Sequence, residues 1–209
     1  MKNLSITIFS LFFLLFTTTA AAQMYGEGPG SPGLMQPHRV GFIHEGAVTA
    51  AFLTGEAGAD YNGASGGFYY TGLFRPTVNF AYGIHIGSSY AEHNDYASAL
   101  QSFMLGGEAR LYLPVDLFDF WGSVFLGVGG FQEDWGDGYD EDPMVGAVTG
   151  FGIGGDYYIT PNMSFGFFVR LYKVFYEDKD VPIDNYGDIT YDDYYGLWGT
   201  VGFSASVHY

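Results

Sequence analysis

The chain has 209 residues and a formal net charge of −16, because 23 acidic residues stand against 7 lysines and arginines. This acidity argues against nucleic acid and bare anionic lipid headgroups as partners, and the absence of cysteine excludes a disulfide-stapled secreted domain. Aromatic residues make up 20% of the chain and charged residues only 14%, against about 25% charged in typical soluble domains, so the apolar side chains either fill a large β core or face lipid.

Residues 1–22 have the three-part layout of a cleaved secretory signal. A short basic start precedes an apolar run at 6–16 and three alanines at 20–22. The apolar run is too short to cross a bilayer as a helix, and an uncleaved anchor is the alternative. Residues 23–38 are rich in Pro and Gly without apolar periodicity, which predicts a flexible lead-in. No later run of 18 or more apolar residues predicts a transmembrane helix.

The rest of the chain, residues 39–209, alternates apolar and polar side chains with the period of two that is typical of β-strands. Eight such segments occur, each of roughly ten to fifteen residues. Soluble strands usually have about five or six residues, whereas a tilted strand that crosses a bilayer needs about ten. The predicted strands are 40–54, 66–75, 78–90, 100–113, 118–131, 144–159, 163–176 and 195–209.

The connections between these strands alternate in length. Three are short and contain proline, which is disfavoured inside a ladder, and four are longer. This alternation is typical of a membrane barrel with short periplasmic turns and longer extracellular loops, which places both termini on the short-turn side. The short connections are 75–77, 114–117 and 160–162, and the long ones are 55–65, 91–99, 132–143 and 177–194.

The sequence therefore predicts one domain over residues 39–209. It is an all-β, eight-stranded, antiparallel up-and-down transmembrane β-barrel in a bacterial outer membrane, reached by signal-directed export. We expect a monomer surrounded by outer-membrane lipid and lipopolysaccharide, without a cofactor.

Three segments carry a family resemblance. VGFSASVHY at the C-terminus resembles the signal that outer-membrane barrels present to the barrel-insertion machinery, with Phe203, Val207 and Tyr209 at its alternating positions. ARLYLPVDLFDFWGSVFLGVGG and GGDYYITPNMSFGFFVRLY resemble the strand-and-turn pattern of the opacity/OmpA-like eight-stranded barrels. The resemblance covers residues 40–209. It implies adhesion for opacity-type members, envelope anchoring for OmpA-type members and passage of hydrophobic solutes for OmpW-type members.

Continuing the alternation predicts a polar network in the lumen. An eight-stranded barrel has an interior just wide enough for its own side chains, and buried charges need partners. We therefore expect a salt-bridged plug, with a gated ion or proton path as the alternative. The predicted lumen residues are Glu45, His85, Glu108, Arg110, Asp156, Arg170 and His208.

A lipid-modifying enzyme is a further alternative. Ser88, Ser89, Ser204 and Ser206 are candidate nucleophiles, and His85 and His208 are candidate bases. No G-x-S-x-G or comparable motif accompanies them. We therefore do not predict an enzyme.

The third and fourth long loops hold 13 of the 23 acidic residues, interleaved with Tyr and Trp. Three interpretations are open: a solvated, self-repelling rim, binding of a divalent cation by clustered carboxylates, and recognition of an extracellular protein or glycan. The cation interpretation lacks the EF-hand spacing. The candidate loop residues are Asp134, Asp137, Asp140, Asp142, Asp178, Asp180, Asp192 and Asp193.

Aromatic residues close to the predicted strand ends are expected to form girdles at the membrane boundaries. They are Phe118, Phe120, Tyr157, Tyr195 and Tyr209. The alternation does not settle which face of the second strand points inward, since Phe68, Tyr70 and Phe74 compete with Tyr69, Thr71 and Leu73.

The function predicted overall is that of a structural or surface-interaction protein that acts through its acidic loops. A narrow conduit for small or hydrophobic solutes is the alternative.

Overall fold

The computed structural model describes residues 39–54, 57–61, 65–94, 98–134, 143–175 and 197–209. Within these ranges, no helix is both long and apolar enough to cross a membrane. The signal and lead-in predictions, at 1–22 and 23–38, lie outside the described residues.

Eight antiparallel strands close into one barrel in chain order, so the predicted fold class is confirmed. A four-residue helix, α1 (Ala57–Asp60), follows the first strand. The predicted strand limits agree with the observed ones to within three residues. The strands are β1 (Gly41–Leu53), β2 (Ser65–Thr77), β3 (Phe80–Glu92), β4 (Ala99–Val115), β5 (Phe118–Asp134), β6 (Met144–Thr160), β7 (Met163–Phe175) and β8 (Trp198–His208).

The register of the pairs defines the shape of the barrel. Following paired residues once around the wall from Ile43 leads back to β1 at Leu53, ten residues farther on. Such a stagger tilts the strands by roughly 35–45° and leaves a lumen that side chains fill. The path runs through Leu73, Gly83, Glu108, Phe125, Gly150, Tyr172 and Trp198.

One of the three predicted short turns is misplaced. It lies at 78–79 instead of 75–77, whereas the turn at 116–117 lies within its predicted connection, 114–117. Pro76 and Pro114 belong to the ends of β2 and β4. Proline disrupts the hydrogen-bond ladder between two strands only where its missing N–H would have to donate a bond. Pro76 sits at a shift of register between Phe74 and Thr77, and Pro114 is the last residue but one of its strand. The third turn, at 161–162, lies within the predicted connection.

The outer face of the wall is an apolar belt, as the alternation predicts. On five different strands, large apolar side chains on this face are more than half exposed: Ile84, Leu105, Leu126, Ile153 and Phe203. Such a surface is stable in hydrocarbon and costly in water. Of the predicted girdle residues, Phe118, Phe120, Tyr157 and Tyr209 are exposed at the short-turn end, and Tyr195 lies outside the described residues.

The second strand faces inward through Tyr69, Thr71 and Leu73, each at most 1% exposed. Phe74 points outward. The start of β1 and the end of β8 also lie at the short-turn end, where Tyr209 pairs with Phe42 through two backbone hydrogen bonds.

Candidate functional site

All seven predicted lumen residues lie inside the barrel. None is more than 4% exposed: Glu45, His85, Glu108, Arg110, Asp156, Arg170 and His208. Arg75 and Asp119 lie there as well, both at 0% exposure, although the sequence pattern did not identify them. Arg75 falls in the predicted turn at 75–77. Asp119 lies between two predicted girdle residues, Phe118 and Phe120, so strict alternation would have placed it inside.

The centre of the lumen holds a three-residue ion network. Arg110 on β4 donates two hydrogen bonds to the carboxylate of Glu45 on β1, at 2.8 Å from Nη1 and 2.6 Å from Nη2. Its Nε donates a third, at 2.6 Å, to Glu108 on its own strand. Planar guanidinium and carboxylate groups match in this paired geometry. The network therefore ties β4 to β1 across the interior.

Arg170 extends this network from β7. Its Nη2 lies 3.2 Å from Glu108 and 3.4 Å from Glu45. Two carboxylates thus face two guanidinium groups, which compensates the cost of removing four charges from water.

His85 joins the network through Glu108, whose carboxylate lies 3.1 Å from its Nδ1. The imidazole stacks on the ring of Tyr69 at 5.1 Å between centroids. Its Nε2 lies 3.2 Å from the hydroxyl of Tyr172. Contacts on its ring face and at both nitrogens fix His85 as part of the packed interior.

A second ion cluster closes the short-turn end. Arg75 donates a 2.6 Å hydrogen bond to Oδ2 of Asp119, and the hydroxyl of Tyr158 donates another to the same oxygen at 3.0 Å. The guanidinium of Arg75 also covers the ring of Tyr112, 3.8 Å from its centroid. Arg39, which precedes β1, lies 3.1 Å from the other carboxylate oxygen of Asp119.

Two predicted lumen residues stand apart from these clusters. Asp156 has no ion pair among the described residues, and its Oδ1 is buried without a hydrogen-bond partner there. His208 accepts or donates a 2.9 Å hydrogen bond with Ser164.

Glycine and aromatic residues pair throughout the wall. The ring of Tyr69 lies 2.2 Å from where a Cβ would stand on Gly87, and the ring of Trp121 lies 2.4 Å from the same point on Gly154. A real Cβ would clash at these distances, so these glycines make room for rings that fill the lumen. The many glycines of the sequence thereby contribute to a packed interior.

The interior changes character along its length. The charged groups described above lie at the centre of the lumen and towards the short turns. Towards the long-loop ends of the strands, the interior is lined mainly by buried apolar side chains: Ala51, Leu53, Ala91, Leu100, Met104, Phe131, Val148, Val174 and Trp198. Tyr61, just after α1, joins this apolar cluster with 3% exposure.

The candidate nucleophiles are dispersed. Ser88 faces outward and Ser89 is hydrogen-bonded to Ser102 at 2.7 Å. Ser204 and Ser206 have no hydrogen-bond partner among the described residues. None of the four is thus paired with His85 or His208 in this part of the chain. The Ser164–His208 pair was not anticipated, and both of its side chains are buried.

The candidate cation- or partner-binding loop residues lie outside the described residues, apart from the backbone of Asp134, which ends β5. Two of the three residues of the predicted C-terminal signal, Phe203 and Tyr209, are exposed on the outer face, whereas Val207 is 2% exposed.

No family model and no curated protein matches the chain. Solved structures do, at 12% identity for each of the following three. Neisserial surface protein A covers 80% of this chain and 97% of its own length with a TM-score of 0.60. Ail, the attachment invasion locus protein of Yersinia pestis, covers 80% and 98% with a TM-score of 0.53. A major outer membrane protein from Thermus thermophilus covers 80% and 98% with a TM-score of 0.54.

At this identity the likeness concerns the fold, which is that of bacterial outer-membrane barrels. Together with the apolar belt, it supports the predicted location in the outer membrane.

Proposed function

Because the chain has the fold of eight-stranded outer-membrane β-barrels, we propose that it is a closed scaffold that holds its acidic, tyrosine-rich loops at the cell surface for interaction with an extracellular partner. The observation that carries the proposal is the filled lumen. Arg110, Glu45, Glu108 and Arg170 join β1, β4 and β7 through direct contacts, so no solute path is needed to explain the interior.

The packing of the interior argues against a conduit. A channel needs lumen side chains that water can reach, as in larger barrels. Here the central ionic side chains are at most 2% exposed, and rings such as Tyr69 lie against glycines of the neighbouring strand. The activity is therefore assigned to the surface that the barrel displays.

The loop sequences indicate the chemistry of the partner. The long loops at 132–143 and 177–194 combine acidic residues with tyrosine and tryptophan. Carboxylates attract basic groups and aromatic rings supply rigid contact area, so a basic protein surface fits these loops best. The likeness in fold to Ail, named for attachment and invasion, is compatible with this assignment.

Planar-bilayer recording tests the closed interior. The folded barrel is expected to give no steady conductance, because buried side chains fill its lumen. Steady nanosiemens-scale openings of the unmodified protein would overturn the closed scaffold and favour the conduit.

A binding experiment tests the loops. The protein is placed in nanodiscs of zwitterionic lipid and presented with polylysine as a basic probe. Replacing the 13 loop carboxylates with Asn and Gln is expected to weaken binding by about tenfold or more, equivalent to ~1.4 kcal/mol. A matched variant keeps the acids and changes the loop Tyr and Trp residues to Ser. Unchanged binding in both variants would contradict a role of these loops in recognition.

Calorimetry with Ca²⁺ separates recognition from cation binding. Recognition of a basic surface requires no metal, so we expect no heat of binding below millimolar Ca²⁺. Saturable heat in that range would favour the divalent-cation interpretation instead.

A further inference from the structure

The chain enters the barrel by an unusual path at its short-turn end. Gly41, the first residue of β1, has a φ of 117°, a conformation that a side chain would disfavour. Two residues earlier, Arg39 contacts β5 and the turn before it. In a closed barrel of eight consecutive strands, β5 lies opposite β1. The segment from Arg39 to Gly41 therefore leads across the mouth of the barrel.

The guanidinium of Arg39 contacts three groups on the side of the barrel opposite β1. Its Nε lies 3.1 Å from Oδ1 of Asp119, and its Nη2 donates to the backbone carbonyl of Asp116. Its Cζ lies 5.8 Å from the centroid of the Tyr158 ring. A carboxylate, a carbonyl and an aromatic face together are a set that suits a guanidinium better than an ammonium group.

The receiving groups are largely preformed by the barrel. Asp119 is 0% exposed and is held by Arg75 and Tyr158 through its other oxygen. Its Oδ1 accepts no well-aligned hydrogen bond among the described residues, which leaves this oxygen to the ion pair with Arg39. Asp116 has a φ of 50°, and its carbonyl accepts from Arg39 at the tight turn between β4 and β5.

We propose that the short-turn end of the barrel contains a guanidinium-binding site formed by Asp119, the carbonyl of Asp116 and the ring of Tyr158. Arg39 of the same chain occupies this site, so that the segment entering β1 is a strap across the periplasmic mouth. The proposal is independent of what the extracellular loops bind.

Chemical rescue tests the site in the full-length protein. Arg39→Ala vacates it, and we expect a lower heat-modifiability midpoint on a cold gel. Guanidinium chloride at low millimolar concentration is expected to raise the midpoint of Arg39→Ala by filling the site, and to leave the wild type unchanged. Potassium chloride at equal concentration controls for ionic strength. Equal effects of the two salts on Arg39→Ala would overturn the proposal.

Two further substitutions, each in the Arg39→Ala background, locate the rescue. Asp119→Asn removes the carboxylate and should abolish it. Asp116→Asn is the matched control, because Asp116 contributes its backbone carbonyl and Asn tolerates a positive φ. Rescue that persists with Asp119→Asn, or is lost with Asp116→Asn alone, would contradict the assigned contacts.

Limited trypsin digestion gives a second readout that does not require the Arg39 variant. Trypsin must take up the side chain of Arg39 to cut the bond after it, so the occupied site should protect this bond. Cleavage there is expected to be several-fold faster in Asp119→Asn than in the wild type and in Asp116→Asn, at matched folded fraction. Equal cleavage rates in all three proteins would overturn the strap.

Discussion

Arg110 and Glu45 form a paired hydrogen bond across the lumen, at 2.6 and 2.8 Å, with both side chains at most 1% exposed. The two residues belong to β4 and β1, which are not neighbours in the wall. Each residue also meets a second ion partner, Glu108 for Arg110 and Arg170 for Glu45. The pair therefore braces the barrel internally, in addition to the backbone ladders that hold adjacent strands.

The first prediction concerns this brace. Arg110→Gln leaves two buried carboxylates, on Glu45 and Glu108, without their closest cation. We expect a loss of about 3–5 kcal/mol in the free energy of unfolding, measured by urea titration in lipid vesicles. The double variant Arg110→Gln with Glu45→Gln should recover part of this loss, because one of the stranded charges is removed. A single variant as stable as the wild type would show that the ion network contributes nothing to the fold.

The period of two is sufficient to place the lumen residues of β4. Glu108 and Arg110 share a face with Tyr112 because alternate residues of a strand point the same way, and the structure puts all three inside. The same rule leaves β2 ambiguous, since both of its faces carry large apolar or aromatic side chains. The packing of Tyr69 against Gly87 on the neighbouring strand fixes the facing, and such a cross-strand contact depends on register, which a single segment does not reveal.

The second prediction uses two adjacent glycines of β4. A Cβ on Gly106 would lie 2.4 Å from the carbonyl oxygen of Leu126 and 2.7 Å from the ring of Phe125, whereas one on Gly107 would find its nearest atom at 3.8 Å. Gly106→Ala should therefore destabilise the barrel by about 1–3 kcal/mol through overpacking. Gly107→Ala, on the outer face, should have little effect and is the control. Equal stability of the two variants in urea titrations would argue that the lumen has spare room.

The position of the first short turn and the contacts of Arg39 could not be predicted from the sequence. Proline at 76 and 114 suggests turns, but a proline near a strand end is tolerated where no ladder bond is required. Arg39 lies at the edge of the predicted domain, and nothing in its local sequence indicates a partner such as Asp116, which is 77 residues farther along the chain. Long-range contacts of this kind follow from closure of the barrel and become visible only with the fold.

The third prediction compares the cost of an arginine at two depths of the lipid-facing belt. Val124 is 62% exposed and lies within the apolar run of outward residues from Phe118 to Val128 on β5. Val124→Arg should cost about 2–4 kcal/mol of stability in bilayers, and Gln101→Arg, near the extracellular end of β4, about 0–1 kcal/mol. Unfolding in lipid vesicles measures both. A cost at Gln101 that equals or exceeds the cost at Val124 would contradict the assigned membrane depth.

The last prediction concerns the seam between the first and last strands. The backbone N–H of Phe42 donates to the carbonyl of Tyr209 at 3.1 Å, and the N–H of Tyr209 donates to the carbonyl of Phe42 at 2.9 Å. Deleting Tyr209 removes both bonds, each worth about 1 kcal/mol net, so stability in vitro should fall modestly. Tyr209→Phe keeps both bonds and the ring and is the control.

Measuring assembly in cells distinguishes two roles of Tyr209, namely closing the barrel and serving as part of the proposed insertion signal. If Tyr209 also serves recognition by the insertion machinery, its deletion should lower the yield of heat-modifiable protein in the outer membrane far more than the loss of stability in vitro accounts for. Tyr209→Phe should assemble near the wild-type level, because the exposed aromatic ring is retained. A deletion variant that assembles in proportion to its stability would limit the role of Tyr209 to closing the barrel, since the two seam bonds alone would then explain its effect.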